Sequence, residues 1–145
     1  MKKTAQGFTL MELLVVIAIL AGLAAMLVLN FTGAQTTARD TRRQADIKQY
    51  ANALEVFATK NDGLYPDQGA GVNAINLCAG GGPLDGVACA DDPNSPGAYK
   101  YRSANAGAEY VLWGQLEKTT DYFILCSNGD SGTSATAPSS GTCPL

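Results

Sequence analysis

Residues 8–31 read FTLMELLVVIAILAGLAAMLVLNF, an apolar run broken near its start by one carboxylate, Glu12. Its central twenty residues, Leu10 to Leu29, would span about 30 Å as a helix, the hydrocarbon thickness of a bilayer. Ahead of the run lies a short basic leader, MKKTAQG, ending at Gly7. Lys2 and Lys3 predict a cytoplasmic leader with the rest of the chain on the outer side. Arg39, Arg42 and Arg43 weaken that asymmetry, and Asp40 and Asp46 partly offset them. A secretory signal has its cleavage site after the apolar segment. Here the small residue suited to cleavage, Gly7, precedes it. A cut at that point removes only the leader and leaves Phe8 as the new amino terminus of a membrane-length helix. Such a product is anchored yet can be withdrawn from lipid, as an assembling subunit must be.

Glu12 carries the sharper question. A carboxylate at mid-membrane costs roughly 2.5–3.5 kcal/mol unless it is paired. Near one end of the run, the headgroup region can hydrate it. Alternatively it pairs with a cation present only in an assembly, and cleavage after Gly7 would create one, the α-amino group of Phe8 on an axially shifted neighbour. Spacing alone leaves both readings open. Gly7-Phe8-Thr9-Leu10-Met11-Glu12 followed by LLVVIAIL resembles the processing site and amino-terminal helix of type IV pilins and type II secretion pseudopilins, over about twenty-five residues. The resemblance implies a peptidase that cuts after Gly7 and methylates Phe8, and a registering role for Glu12 as subunits pack. It also implies a single-pass cytoplasmic-membrane precursor surrounded by lipid, self-association into a cell-surface or extracytoplasmic filament, and contacts with pilus or secretion machinery. One departure stands out. Where the family often has Val-Pro-Asn, this chain has Val28-Leu29-Asn30, so no proline removes a backbone donor or kinks the helix there.

Beyond the apolar run, Ile47, Tyr50, Ala51, Leu54, Phe57 and Ala58 recur on one helical face. Arg42 and Asp46 stand i, i+4 apart on the polar face, a pairing worth a few tenths of a kcal/mol. Lys60-Asn61-Asp62-Gly63 and then Pro66 stop the helix. The expectation is one continuous helix from Phe8 to Lys60, about 80 Å long. Residues 64–98 read as a Gly/Pro-rich loop. Ala98–Ser103, Glu109–Leu116 and Asp121–Ser127 alternate as strands, and 128–145 forms a Ser/Thr/Gly-rich tail. The predicted fold is α+β, a long amino-terminal helix packed on a three-stranded antiparallel sheet. Its expected divisions are a leader 1–7, a membrane and assembly half 8–31, an amphipathic half 32–62, and a head 63–145 with its meander over 98–127.

The four cysteines of an exported head suggest disulfides, with three possible connectivities. Cys78–Cys89 with Cys126–Cys143 closes the shortest loops, each bond worth around 3 kcal/mol. Family resemblance also implies a disulfide-closed carboxy-terminal loop. The secretion branch resembles this chain at Asn61-Asp62-Gly63-Leu64-Tyr65-Pro66, and that branch uses an acidic calcium loop near its end. Asn128-Gly129-Asp130-Ser131-Gly132 offers a single carboxylate, which supports calcium weakly and reads as a polar turn after the last strand. No cofactor is expected. With no C-x-x-C pair and no histidine in the chain, a zinc site is not expected, and the Ser-His and Cys-His arrangements of nucleophilic catalysis are absent. The glycine triplet 80–82 precedes neither a Lys nor a helix, so it is no phosphate loop. Adjacent Asp91-Asp92 read as solvated. Tyr99, Tyr101, Tyr110, Trp113 and Tyr122 could form a stacking face for sugars or bases, but on strands they read as packing. The formal charge of −3 becomes −5 when Lys2 and Lys3 are removed, and no basic stripe for nucleic acid is present. Three roles follow: pilus subunit, secretion pseudopilin, or a tethered module binding a ligand through 64–98.

Overall fold

The computed structural model describes residues 7–92, 94 and 98–145, and the side chains of 26–32 lie outside that description. The chain divides into a first compact unit ending at Thr36 and a second, Thr37–Leu145. A single helix, α1 (Leu10–Thr59), runs through the sequence of both. No proline interrupts it. It stops where expected. Asp62 turns left-handed at φ 55°, and the Gly63 N–H reaches back to the Ala58 carbonyl at 2.9 Å. This closes the last turn in the manner of a Schellman cap.

Within the second unit, five antiparallel strands follow in chain order: β1 (Val72–Asn73), β2 (Lys100–Ala104), β3 (Glu109–Gln115), β4 (Tyr122–Cys126) and β5 (Ser131–Ser134). The central three match the expected meander, with Tyr101 opposite Leu112 and Leu112 opposite Leu125. Period-2 alternation then sorts the side chains. Tyr99, Tyr101, Tyr110, Leu112, Phe123 and Leu125 pack with Ile47, Tyr50, Ala51 and Leu54 of α1. Val111, Trp113, Ile124 and Cys126 form a second cluster on the opposite face. The stacking-face reading therefore fails for Tyr99, Tyr101 and Tyr110, each at most 1 % exposed within the helix-facing core.

The two outer strands correct the expected three. β1 lies inside the segment read as loop, followed by a 3-10 turn at Ala74–Leu77 that buries Ala74 and Leu77. β5 lies in the segment read as tail. Asn128 and Gly129 make the β4–β5 turn, where the Gly129 N–H donates to the Cys126 carbonyl at 3.0 Å. So the polar turn precedes the last strand rather than following it. Both added strands sit at sheet edges, where backbone pairing needs no apolar side chains. Cys78 is bonded to Cys89 and Cys126 to Cys143, with Cα separations of 6.2 and 5.5 Å. The second bond lays the carboxy-terminal segment against the outer sheet face. There Gly141 is so close that an added Cβ would stand 2.2 Å from the Ser103 carbonyl group.

A buried ion cluster ties three chain segments together. Arg43, 4 % exposed, donates to both oxygens of Asp92 and to Glu117, and reaches Asp40 at 2.8 Å. Arg39 grips Glu117 from the side at 2.6 Å. Asp40 in turn accepts the backbone N–H groups of Glu117 and Lys118 at 2.8 and 3.0 Å. Asp92 is thus not solvated as expected but 2 % exposed. Asp46 also departs from its polar-face reading. It is buried, its close partner is the Tyr99 hydroxyl at 2.8 Å, and Arg42 stands off at 3.9 Å.

The Arg39 guanidinium, with Arg43 beside it, holds the Glu117 carboxyl at about 2 against an ordinary 4.5. Burial acts to raise the Asp40 carboxyl, but the N–H groups of Glu117 and Lys118 and the Arg43 guanidinium together hold it below its usual range. A carboxyl depressed on folding stabilises the native state fully above its unfolded pKa and loses that contribution as pH falls through the folded one. Stability of the oxidised protein should therefore fall from about pH 4.5 down to about pH 2. Glu117→Gln should flatten that acid limb, and an unchanged limb would contradict the cluster. Removing Arg43 strands a buried carboxylate. Arg43→Ala should cost about 3–5 kcal/mol in urea unfolding followed by tyrosine near-UV dichroism, against about 0.5 kcal/mol or less for exposed Arg42→Ala.

Candidate functional site

The amino-terminal segment Gly7–Glu12 begins α1 through side-chain chemistry. Thr9 precedes the first helical residue, Leu10, and Glu12 is the third residue of the helix. The Glu12 carboxylate accepts the Thr9 N–H at 2.9 Å and the Thr9 hydroxyl at 2.7 Å. The Glu12 N–H returns a longer bond to the Thr9 hydroxyl oxygen at 3.3 Å. This is a capping box, Thr-x-x-Glu, and it satisfies amide groups that a helix start leaves without partners. The pattern was visible in the sequence as a Thr followed three residues later by Glu before an apolar run.

Among the described residues the surroundings of the cap are open. Gly7 has no atom within 4 Å of where a Cβ would stand, and Phe8 is 84 % exposed. Large apolar side chains continue exposed from Leu10 to Leu23, including the consecutive Leu13, Leu14, Val15, Val16 and Ile17. Five consecutive residues point in all directions from a helix, so no face of this segment is polar. An exposed apolar surface on this scale marks an interaction site. The site can bind apolar partners and present one carboxylate near its end. It holds no group placed for catalysis.

Among the described residues, no helix is long and apolar enough to cross a membrane. The expected span, 8–31, runs into 26–32, outside the described side chains. The fully described helical stretch, Leu10 to Ala25, is sixteen residues, about 24 Å. Lys2 and Lys3 of the leader lie outside the described residues. The remaining candidate residues sit elsewhere in the chain. Cys78–Cys89 pins the segment after the 3-10 turn, and Cys126–Cys143 joins β4 to the end of the chain. Asp130, the one carboxylate of the weak calcium candidate, accepts from the Asn128 amide at 2.6 Å within the β4–β5 turn. Among the described residues, no group of three or more His, Cys, Asp or Glu is arranged to hold a metal ion.

A known family motif falls on the same segment. Residues 2–28 match the prokaryotic N-terminal methylation motif. Over 74 residues the chain is 36 % identical to the type II secretion system core protein G of Aeromonas hydrophila, covering 51 % of each protein. Over 68 residues it is 40 % identical to the type IV wide pilus major component PilA4 of Thermus thermophilus, covering 47 % of this chain and 52 % of that one. A longer match, 28 % over 136 residues, joins it to the core protein G of Vibrio cholerae, across 87 % of this chain and 83 % of the other. The chain thus spans about half the length of the first two relatives. No solved structure matches it. With an amino-terminal methylation motif and a long helix packed on an antiparallel sheet, this chain is similar both to a type IV pilus component and to type II secretion core proteins.

Proposed function

We propose that this chain is the structural subunit of a type IV pilus-like helical filament. The carrying observation is the bare apolar helix start, exposed on every side beside an open Gly7, within a matched methylation motif. The precursor sits in the cytoplasmic membrane with its leader, 1–7, inside. A prepilin peptidase cuts after Gly7 and methylates Phe8, and residues 8–31 then exchange lipid for the same segment of neighbouring subunits. Glu12 meets the Phe8 amino group of a neighbour and sets the register. Residues 32–62 and 63–145 form the outer layer of the filament. Since Glu12 already caps its own helix through Thr9, pairing with a neighbour has to use the remaining acceptor capacity of the carboxylate.

The pilus branch is favoured by the disulfide that closes the carboxy-terminal segment onto β4. The rival branch, the major pseudopilin of a type II secretion system, draws on the Vibrio cholerae match, which extends over the head. Its other support, Asn61 to Pro66, has a local explanation. Asp62 and Gly63 end α1, and Tyr65 packs edge-on to Tyr110 at 4.5 Å while donating to Glu55 at 3.0 Å. Such a helix stop serves either branch.

Two substitutions test the reading without touching the head. Replacing Gly7 by a bulky residue, Gly7→Leu, should leave the leader uncut, because only a small residue suits the cleavage site. Glu12→Ala should give chains that enter the membrane but not filaments. Both should keep the two disulfides and the tyrosine dichroism of the native head. Normal filaments from both variants would refute the subunit reading and favour a simple tethered module, which tolerates both changes.

A further inference from the structure

The outer face of the sheet holds an open cleft of about 670 Å³, lined by residues outside the Gly7–Glu12 segment. Its volume lies within the range of small-molecule sites. The floor comes from β2 and β3, where Lys100 pairs directly across from Trp113 and Arg102 lies two residues along the same face. Trp113 and Tyr122 supply apolar wall, and Gln115 and Thr120 supply polar groups. Three cations, Arg43, Lys100 and Arg102, line the cleft against two carboxylates, Asp92 and Glu117. Those two carboxylates bind Arg43, and Glu117 binds Arg39 as well. Among the described residues, neither Lys100 nor Arg102 pairs with a carboxylate.

Both free cations are held in place by neutral groups. Lys100 donates to the Asn73 side-chain oxygen, and one Arg102 nitrogen donates to the Ser139 carbonyl. Arg102 Nε is buried with no hydrogen-bond partner among the described residues. A buried guanidinium N–H without an acceptor costs free energy. Gln115 gives its amide N–H to the Thr120 carbonyl, which leaves its side-chain oxygen to accept from a hydroxyl. Positioned cations, an aromatic wall and a planar amide together suit a hydroxylated ring that carries a carboxylate.

We propose that this cleft binds an acidic sugar of monosaccharide size, with Lys100 and Arg102 on its carboxylate and Tyr122, beside the small exposed edge of Trp113, which is 7 % exposed, against its ring. Trp113 is the single tryptophan of the chain, so its fluorescence reports the site directly. The full-length protein in detergent is titrated with glucuronate, with glucose and with inorganic phosphate. The expected result is a saturable change with glucuronate, weakened about tenfold or more for glucose and for phosphate, each of which lacks one half of the recognition. Arg102→Gln should weaken glucuronate binding by about tenfold. Arg102 also holds Ser139, so Lys100→Gln serves as the second variant, with unchanged far-UV dichroism and melting required of both. Equal binding of glucose or phosphate, absence of saturation, or well-folded variants that bind as tightly as the parent would overturn the proposal.

Discussion

Arg43 is the residue on which the arrangement of the head depends. Its guanidinium lies where α1, the segment before β2 and the β3–β4 turn meet, and it bonds a carboxylate from each: Asp40, Asp92 and Glu117. Buried ion pairs add little net stability over apolar packing, because desolvation offsets their attraction. What they do impose is position. Asp92 cannot leave without stranding a buried charge, and Glu117 is fixed both by arginines and by the hold of Asp40 on its own N–H. The long segment between α1 and β2 is thereby tied near both ends, by Arg43 at Asp92 and by Tyr65 against Tyr110. Between these ties four buried tyrosines, Tyr50, Tyr99, Tyr101 and Tyr110, stand among the leucines of the core. Each buried hydroxyl finds an acceptor: Tyr50 the Ala90 carbonyl, Tyr99 the Asp46 carboxylate, Tyr101 the Pro66 carbonyl and Tyr110 Glu55. Rings that fill volume and also end in a satisfied hydrogen bond specify one arrangement more narrowly than aliphatic side chains would.

The start of α1 follows the opposite rule. Among the described residues its large apolar side chains from Phe8 to Leu23 are exposed, while Thr9 and Glu12 satisfy each other. In lipid, helices associate through close packing and polar contacts rather than by excluding water. A single carboxylate near the end of an otherwise apolar helix therefore carries unusual weight in choosing a partner and a register. The cap binds Glu12 to its own chain with one oxygen, which makes the same carboxylate both a helix starter and a contact for assembly in the proposed filament.

Elements governed by apolar periodicity were legible in the sequence. The stripe Ile47-Tyr50-Ala51-Leu54 and the alternation of Tyr110, Leu112, Phe123 and Leu125 decide which faces meet, and the structure joins those faces. β1 and β5 escaped because Val72-Asn73 is too short to alternate and Ser131–Ser134 has no apolar residue; backbone pairing places them at the edges. The ion cluster escaped for a different reason. Asp40, Arg43, Asp92 and Glu117 are spread over much of the chain, and charges that look solvated in sequence are buried when topology supplies partners. The Thr9–Glu12 cap, by contrast, is written in local sequence as Thr-x-x-Glu ahead of an apolar run.

The central claim, a processed subunit that leaves the membrane to build a filament, meets its most direct test in mass spectrometry of the native protein. Intact and amino-terminal masses are measured on chains from purified membranes and from material sheared off the cell surface. The account predicts a chain beginning at Phe8, heavier by one methyl group at its amino terminus and abundant in the sheared fraction. The same chain confined to membranes would move the assignment to the secretion branch. A chain that still begins at Met1 in both fractions would contradict processing, and the filament with it.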